Sequence, residues 1–109
     1  MTVESFIEKS GFTPISLPSP EKEIDGAYVG DLLSWVMGRA EAGNLWITIM
    51  SNVNVVAVST LAEVSAVILA EDVCLDGDVI KVALDKGVNV LSTPLSAYEA
   101  ARKVSEIIT

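Results

Sequence analysis

The run Leu45-Trp46-Ile47-Thr48-Ile49-Met50 is apolar except at Thr48 and rich in β-branched and aromatic side chains. Such a composition is typical of a β-strand covered on both faces, since a strand with one face in water alternates apolar and polar residues. Two similar runs follow at residues 66–70 and 88–91. The three runs predict the buried centre of one sheet.

A helix is predicted after each of these strands. The first covers residues 53–64, and its expected buried face has three members, Ala57, Leu61 and Val64. The second is capped by Asp76 or Asp78 and closed by Gly87. The third is opened by Ser96-Ala97-Tyr98-Glu99, which matches the capping box, and extends to about Ile108. Strands that alternate with helices over short connections predict an α/β fold, with a mainly parallel sheet and helices on both faces.

Upstream of the first buried strand, the apolar spacing of Val3, Phe6 and Ile7 predicts a short helix that ends at Gly11. The prolines that follow allow residues 15–17 to form an edge strand at most. Residues 26–30 are expected to be briefly extended. Asp31 is expected to cap a packing helix that ends near Gly43, with Trp35 in the core. We therefore expect one domain over residues 1–109, in which residues 1–25 form an N-terminal helix and connection.

The composition excludes several classes of function. The 109 residues include 7 basic and 15 acidic side chains, for a net charge of −8, one cysteine and no histidine. Without histidine, neither Ser-His nor Cys-His nucleophiles nor the usual zinc sites can form. The basic residues are scattered and no glycine-rich phosphate motif is present, so neither nucleic acid nor a nucleotide cofactor is expected. We expect no metal, no cofactor and no catalysis.

A membrane-spanning segment is also not expected, although residues 42–62 carry no charge. Polar residues at 51, 52 and 54 interrupt this stretch, which a strand, a turn and a helix explain better than a bilayer helix. The first residues lack the basic start and apolar centre of a secretory signal. A cytoplasmic protein is therefore predicted.

Candidate ligand-binding residues follow the predicted strands, because ligands of parallel sheets bind beyond the carboxyl ends of the strands. Ser51, Asn52 and Asn54 follow the first buried strand, and Thr93 follows the third. Their hydroxyls and amides could bind a small polar metabolite. The alternative is that the first three only cap a helix and that Thr93, with Pro94, only sets a turn.

Three further polar residues are expected to play no chemical part. Glu71 and Asp72 are predicted to form a solvated acidic loop, and their use as the carboxylates of an enzyme ranks far behind. Cys74 is expected to be buried or unreactive, because its apolar and acidic neighbours disfavour a thiolate.

Several strings between Asp31 and Ile108 resemble the DRTGG-domain family of small α/β modules, whose fold is similar to the N-terminal domain of HPr kinase/phosphorylase. They are Gly30-Asp31-Leu32-Leu33-Ser34, residues 45–54, Ala66-Val67-Ile68-Leu69-Ala70 and Gly87-Val88-Asn89-Val90-Leu91. The residues that name the family are replaced: its Asp-Arg aligns with Ser51-Asn52, and its Thr-Gly-Gly aligns with Ala70-Glu71-Asp72.

The resemblance implies a regulatory or ligand-sensing module without catalytic activity, often self-associating. A homodimer is therefore expected, with a small polar metabolite as ligand. The alternative is an accessory or scaffold protein of a larger redox or metabolic complex, which would bind a protein partner through an exposed apolar face such as one tryptophan provides.

Overall fold

The protein, described from a computed structural model over residues 1–108, alternates helices and strands along the chain. The elements are α1 (Val3–Ser10), β1 (Thr13–Ser16), β2 (Ala27–Val29), α2 (Leu33–Arg39), β3 (Leu45–Thr48), α3 (Asn54–Ala62), β4 (Ala66–Leu69), α4 (Gly77–Asp85), β5 (Val90–Ser92) and α5 (Ala97–Ile108). Within this part of the chain, no helix is both long and apolar enough to cross a bilayer.

The strands form one sheet in the order β1-β5-β4-β3-β2. The four strands from β2 to β5 are parallel to their neighbours, and only β1 runs antiparallel, against β5. Every residue of β3 and β4 is buried, as their almost entirely apolar runs predicted. The predicted α/β fold with a mainly parallel sheet is confirmed, and the extended segment before α2 proves to be a further parallel strand.

Helices cover both faces of the sheet, as expected. One face carries Trp46, Val67 and Leu69, which pack under α2, α3 and α4. The other carries Leu45, Ile47 and Ile68, which pack under α1 and α5. Successive residues of each strand point to opposite faces, so an apolar residue at every position is what a sheet with two cores requires.

The N-terminal segment agrees with its prediction. Helix α1 begins where the Thr2 hydroxyl accepts from the Ser5 amide and ends at Gly11, whose φ of 73° is the left-handed conformation that glycine favours. Strand β1 is an edge strand, and its register against β5 shifts between Pro14 and Ser16. Proline and this irregularity leave the outer edge of β1 poorly suited to pairing.

Three expectations for α2 are wrong. The Asp31 carboxylate does not cap the helix, because it accepts instead from the Thr48 hydroxyl at 2.8 Å and the Ile49 amide at 3.0 Å. The helix ends at Arg39, before Gly43, and only Val36 is buried in it. Trp35 is 52% exposed and carries the Arg39 guanidinium 3.8 Å from its ring centre. Trp46 alone of the two tryptophans belongs to the core.

The buried face of α3 also differs from the prediction. Leu61 is 68% exposed and Ala57 is exposed, whereas Val55, Val58 and Ser59 are buried. Only Val64, just beyond the helix, is buried as expected. Because α3 is apolar almost all round, its sequence carries too little periodicity to select a face.

Asn89, immediately before β5, is a buried polar residue that the sequence did not point out. Its side-chain amide donates to the carbonyls of Ser19 and Ser65, at 2.6 and 2.9 Å, and its oxygen accepts from the Ser19 amide at 2.9 Å. The residue is 1% exposed. One side chain thus ties the connection after β1 to the segment before β4.

Candidate functional site

The carboxyl ends of β3, β4 and β5 meet at one edge of the sheet, as the parallel topology requires. The Ala70 amide donates to the Thr48 carbonyl at 3.0 Å, and the Thr93 amide donates to the Leu69 carbonyl at 3.0 Å. These bonds extend the sheet ladder beyond the strands and fix where the three following loops begin. This edge is the candidate site.

The loop after β3 presents its polar side chains to solvent. Ser51, Asn52 and Asn54 are all exposed. The Asn52 side-chain oxygen accepts from the Asn54 backbone amide at 2.9 Å, which forms a local Asx turn at the start of α3. The N-cap residue of α3 is Val53, which makes no side-chain capping bond, so Asn52 shapes the turn just before the helix. The Asn54 side chain has no hydrogen-bond partner within residues 1–108.

Thr93 occupies a different position from these three residues. It is 3% exposed, and its hydroxyl accepts from the Leu95 amide at 3.3 Å. Strands β5 and β3 are separated by β4, which places them about 10 Å apart at the usual strand spacing. The structure does not bring the Thr93 hydroxyl into contact with the 51–54 loop.

The acidic loop after β4 has an unusual backbone. Glu71 and Asp72 have φ angles of 59° and 60°, in the left-handed region that favours glycine. The Glu71 amide donates to the Leu95 carbonyl at 2.8 Å, and the Asp72 amide donates to the Thr93 carbonyl at 3.0 Å. Both residues thus adopt a main-chain conformation that glycine would favour, although both are acids with exposed side chains.

Replacing Glu71 or Asp72 by glycine should raise the free energy of unfolding by about 0.5 kcal/mol each, because relief of the left-handed conformation exceeds the added entropy of the unfolded chain. Urea denaturation measures the change. Glu8→Gly, at an exposed position within α1, is the matched control and should lose about 0.5–1 kcal/mol. If glycine at position 71 or 72 lowered the free energy of unfolding as much as glycine at position 8, the inference that this backbone is strained would be wrong.

A shallow groove of about 340 Å³ runs from the 51–54 loop along the outer side of α3 and α4. It is lined by Val53, Asn54, Val56, Ala57, Thr60, Leu61, Val82 and Lys86. Asn54 is thus a predicted site residue that borders this groove. Leu61 lines this groove because it is exposed. The sequence analysis did not predict the groove, since it placed Leu61 on the buried face of the helix.

Cys74 is exposed, so of the two expected alternatives, a buried or an unreactive thiol, the first is wrong. Its sulfur lies 3.6 Å from the Asp72 carbonyl oxygen. Among residues 1–108, no group of three or more histidine, cysteine, aspartate or glutamate side chains is arranged to hold a metal ion.

Two comparisons with known proteins bear on this fold. The family model of the DRTGG domain matches residues 27–107. A solved structure, the CBS and DRTGG domains of the regulatory region of Clostridium perfringens pyrophosphatase complexed with the activator diadenosine tetraphosphate, is similar with a TM-score of 0.75 at 13% identity. The alignment covers 94% of this chain and 45% of that one, so the chain spans less than half of that structure. No curated protein matches.

Proposed function

Because this chain belongs to the DRTGG domain family, as its residues predicted, we propose that it is a non-catalytic regulatory module that senses a small ligand and self-associates. The family match over residues 27–107 carries this proposal. The similar fold of a regulatory region solved with an activator supports it. We take residues 1–109 as a single such domain, in which residues 1–25 add α1 and the connection to β2.

The proposed ligand site is the 51–54 loop together with the adjoining end of the α3–α4 groove. The exposed Ser51 hydroxyl and the unpaired Asn54 amide supply donors and acceptors, and the groove supplies an apolar wall. Asn52 shapes the turn, and Thr93, which follows β5 two strands away, contributes by holding the acidic loop, whose Asp72 amide donates to the Thr93 carbonyl. The acidic loop and the net charge of −8 favour a neutral or cationic polar metabolite over a polyphosphate.

Thermal-shift screening tests the site with a panel of neutral and cationic polar metabolites, with diadenosine tetraphosphate added as an anionic probe. A ligand at 100 times its Kd should stabilise the parent by about 2.7 kcal/mol. Asn54→Ala should lose most of that shift, because it removes amide groups that no other residue satisfies. Asn52→Asp, which keeps the acceptor of the turn but removes the donors, separates binding from loop shape.

Thr13→Ala is the control. Thr13 is exposed in edge strand β1, away from the 51–54 loop, so this variant should keep the full thermal shift. Equal shifts in the parent, Asn54→Ala and Asn52→Asp would remove the loop from the proposal. A shift with diadenosine tetraphosphate alone would contradict the charge argument.

A scaffold function is the second candidate, and the exposed side chains of α2 favour it. Leu32, just before α2, and Trp35, one turn later, are 58% and 52% exposed, and Met37, on the other side of the helix, is 49% exposed, so large apolar side chains are available to a partner. Two results together would support this function over ligand sensing. No metabolite in the screen would shift the melting temperature, and the protein would capture one stoichiometric partner protein that Trp35→Ala no longer captures.

A further inference from the structure

Asp31 lies between β2 and α2, at the edge of the sheet that carries the candidate site, because β2 and β3 are parallel neighbours. Its Oδ1 atom accepts from the Thr48 hydroxyl at 2.8 Å and from the Ile49 amide at 3.0 Å. The Thr48 hydroxyl in turn accepts from the Met50 amide at 3.2 Å. One carboxylate oxygen thus holds, directly or through Thr48, the two residues that lead from β3 into the 51–54 loop.

The loop has few other polar anchors. The hydrogen bond between Asn52 and Asn54 joins residues of the loop itself. Within residues 1–108, the bond from the Ile49 amide to Asp31 is the one hydrogen bond that ties the loop, or the two residues before it, to a part of the chain outside β3 and α3. The Asp31 carboxylate is therefore the polar tie between the loop and the neighbouring strand connection.

The start of α2 shows that this use of Asp31 is not the usual one. An aspartate at the start of a helix normally accepts from the amides of the first turn, which stabilises the helix. The N-cap residue of α2 is Leu32, and no side chain caps this helix. The residue type best suited to cap α2 is present beside it but binds the segment after β3 instead. Local sequence preferences are expected to fail in this way at functional sites.

We propose that Asp31 is a positioning residue of the ligand site, an assignment that rests on the function proposed above. Its carboxylate holds the 51–54 loop in the arrangement that presents Ser51 and Asn54 to a small ligand. An ionised acceptor suits this task, because hydrogen bonds to a charged group are stronger than those between neutral groups. Thr48 is 1% exposed, so loss of the carboxylate would leave a buried hydroxyl without its acceptor.

Hydrogen exchange followed by NMR on the ligand-free protein is the first test. In Asp31→Ala the Ile49 amide should exchange about ten times faster relative to the buried Val67 amide of β4, because a hydrogen bond to a charged acceptor is lost. The side-chain resonances of Asn54 should shift as well. Asp31→Asn should restore most of the protection, since its amide oxygen can accept both bonds.

Asp85→Ala is the matched control, because it removes the same charge from an exposed position at the end of α4. It should leave the Ile49 amide and the Asn54 resonances unchanged. Titration calorimetry is the second test, with the compounds of the thermal-shift panel whose shift Asn54→Ala abolishes. Their affinity should fall about tenfold in Asp31→Ala and much less in Asp31→Asn.

The outcomes separate this assignment from the proposed function. Equal relative exchange of the Ile49 amide in the parent and Asp31→Ala would overturn the positioning role, whichever compounds bind. Faster exchange over the whole sheet, with unchanged affinity, would show a purely structural residue and would also overturn it. Both results would leave the ligand site standing. If no compound of the panel binds the parent, the proposed ligand site is wrong, and the positioning role fails with it.

Discussion

Replacing Trp46 by alanine should lower the free energy of unfolding by about 3–5 kcal/mol, the usual cost of removing a buried aromatic side chain. Trp46 is the largest fully buried side chain, and its indole N–H donates to the Gly30 carbonyl at 2.8 Å. The substitution would leave a cavity between β3 and the helices above it, and an unpaired carbonyl at the end of β2. Urea denaturation followed by far-ultraviolet circular dichroism measures the loss.

The second tryptophan provides the control. Trp35→Ala should cost less than about 1 kcal/mol, because Trp35 is half exposed and contacts mainly the Arg39 guanidinium. Trp46→Phe isolates the hydrogen bond to Gly30, since it keeps an aromatic ring and removes the donor. Losses of equal size at positions 35 and 46 would show that the assignment of Trp46 to the core and Trp35 to the surface is incorrect.

Asn89→Asp should destabilise the protein by about 3–5 kcal/mol at neutral pH, the range seen when a buried charge is left without a partner. Both donors of the Asn89 amide would be replaced by an oxygen that faces the carbonyls of Ser19 and Ser65. The shape of the side chain is unchanged, so the loss would report hydrogen bonding and charge rather than packing.

This second effect should depend on pH. Burial against carbonyls would raise the pKa of the new carboxyl above that of an unfolded aspartate, because the protonated form can donate one hydrogen bond. A group whose folded pKa is raised stabilises the fold below the unfolded pKa of about 3.9 and loses that contribution as pH rises. Chemical denaturation of the parent and the variant at pH 3.5 and pH 7 should therefore show a smaller difference at the lower pH. A difference that does not change with pH would contradict a buried, unpaired carboxylate.

The centre of the fold could be predicted from the sequence because its signals are local. The runs of β3 and β4 are apolar at every position but Thr48, and the capping box before α5 is present, with the Glu99 amide donating to the Ser96 hydroxyl at 3.1 Å. The glutamate reaches the serine hydroxyl rather than a backbone amide, a detail that the pattern does not specify.

The errors arose where a distant partner decides the outcome. Asp31 is a residue type that often caps helices and it precedes α2. Its carboxylate instead accepts hydrogen bonds from Thr48 and Ile49, at the end of β3. Asn89 falls within the predicted strand 88–91, and nothing in that run shows that the connection after β1 passes beside its side chain. The apolar residues of α2 predict burial, and nothing in their spacing shows that Trp35 faces solvent.

The candidate site was predictable only as a location. Parallel topology places residues 51–54 and Thr93 at the same end of the sheet, but it does not fix their distance or exposure. The α3–α4 groove depends on which side of α3 is outward, and the valine-rich sequence of that helix leaves this open.

The two outer strands of the sheet limit how far other chains can add to it. A fibril built by strand addition needs two edges on each subunit that accept a new strand. Here Pro14 and the register shift disrupt the edge at β1, and β2 offers only three residues. Strand addition is therefore disfavoured at both edges, which protects a small, apolar-rich protein against polymerisation.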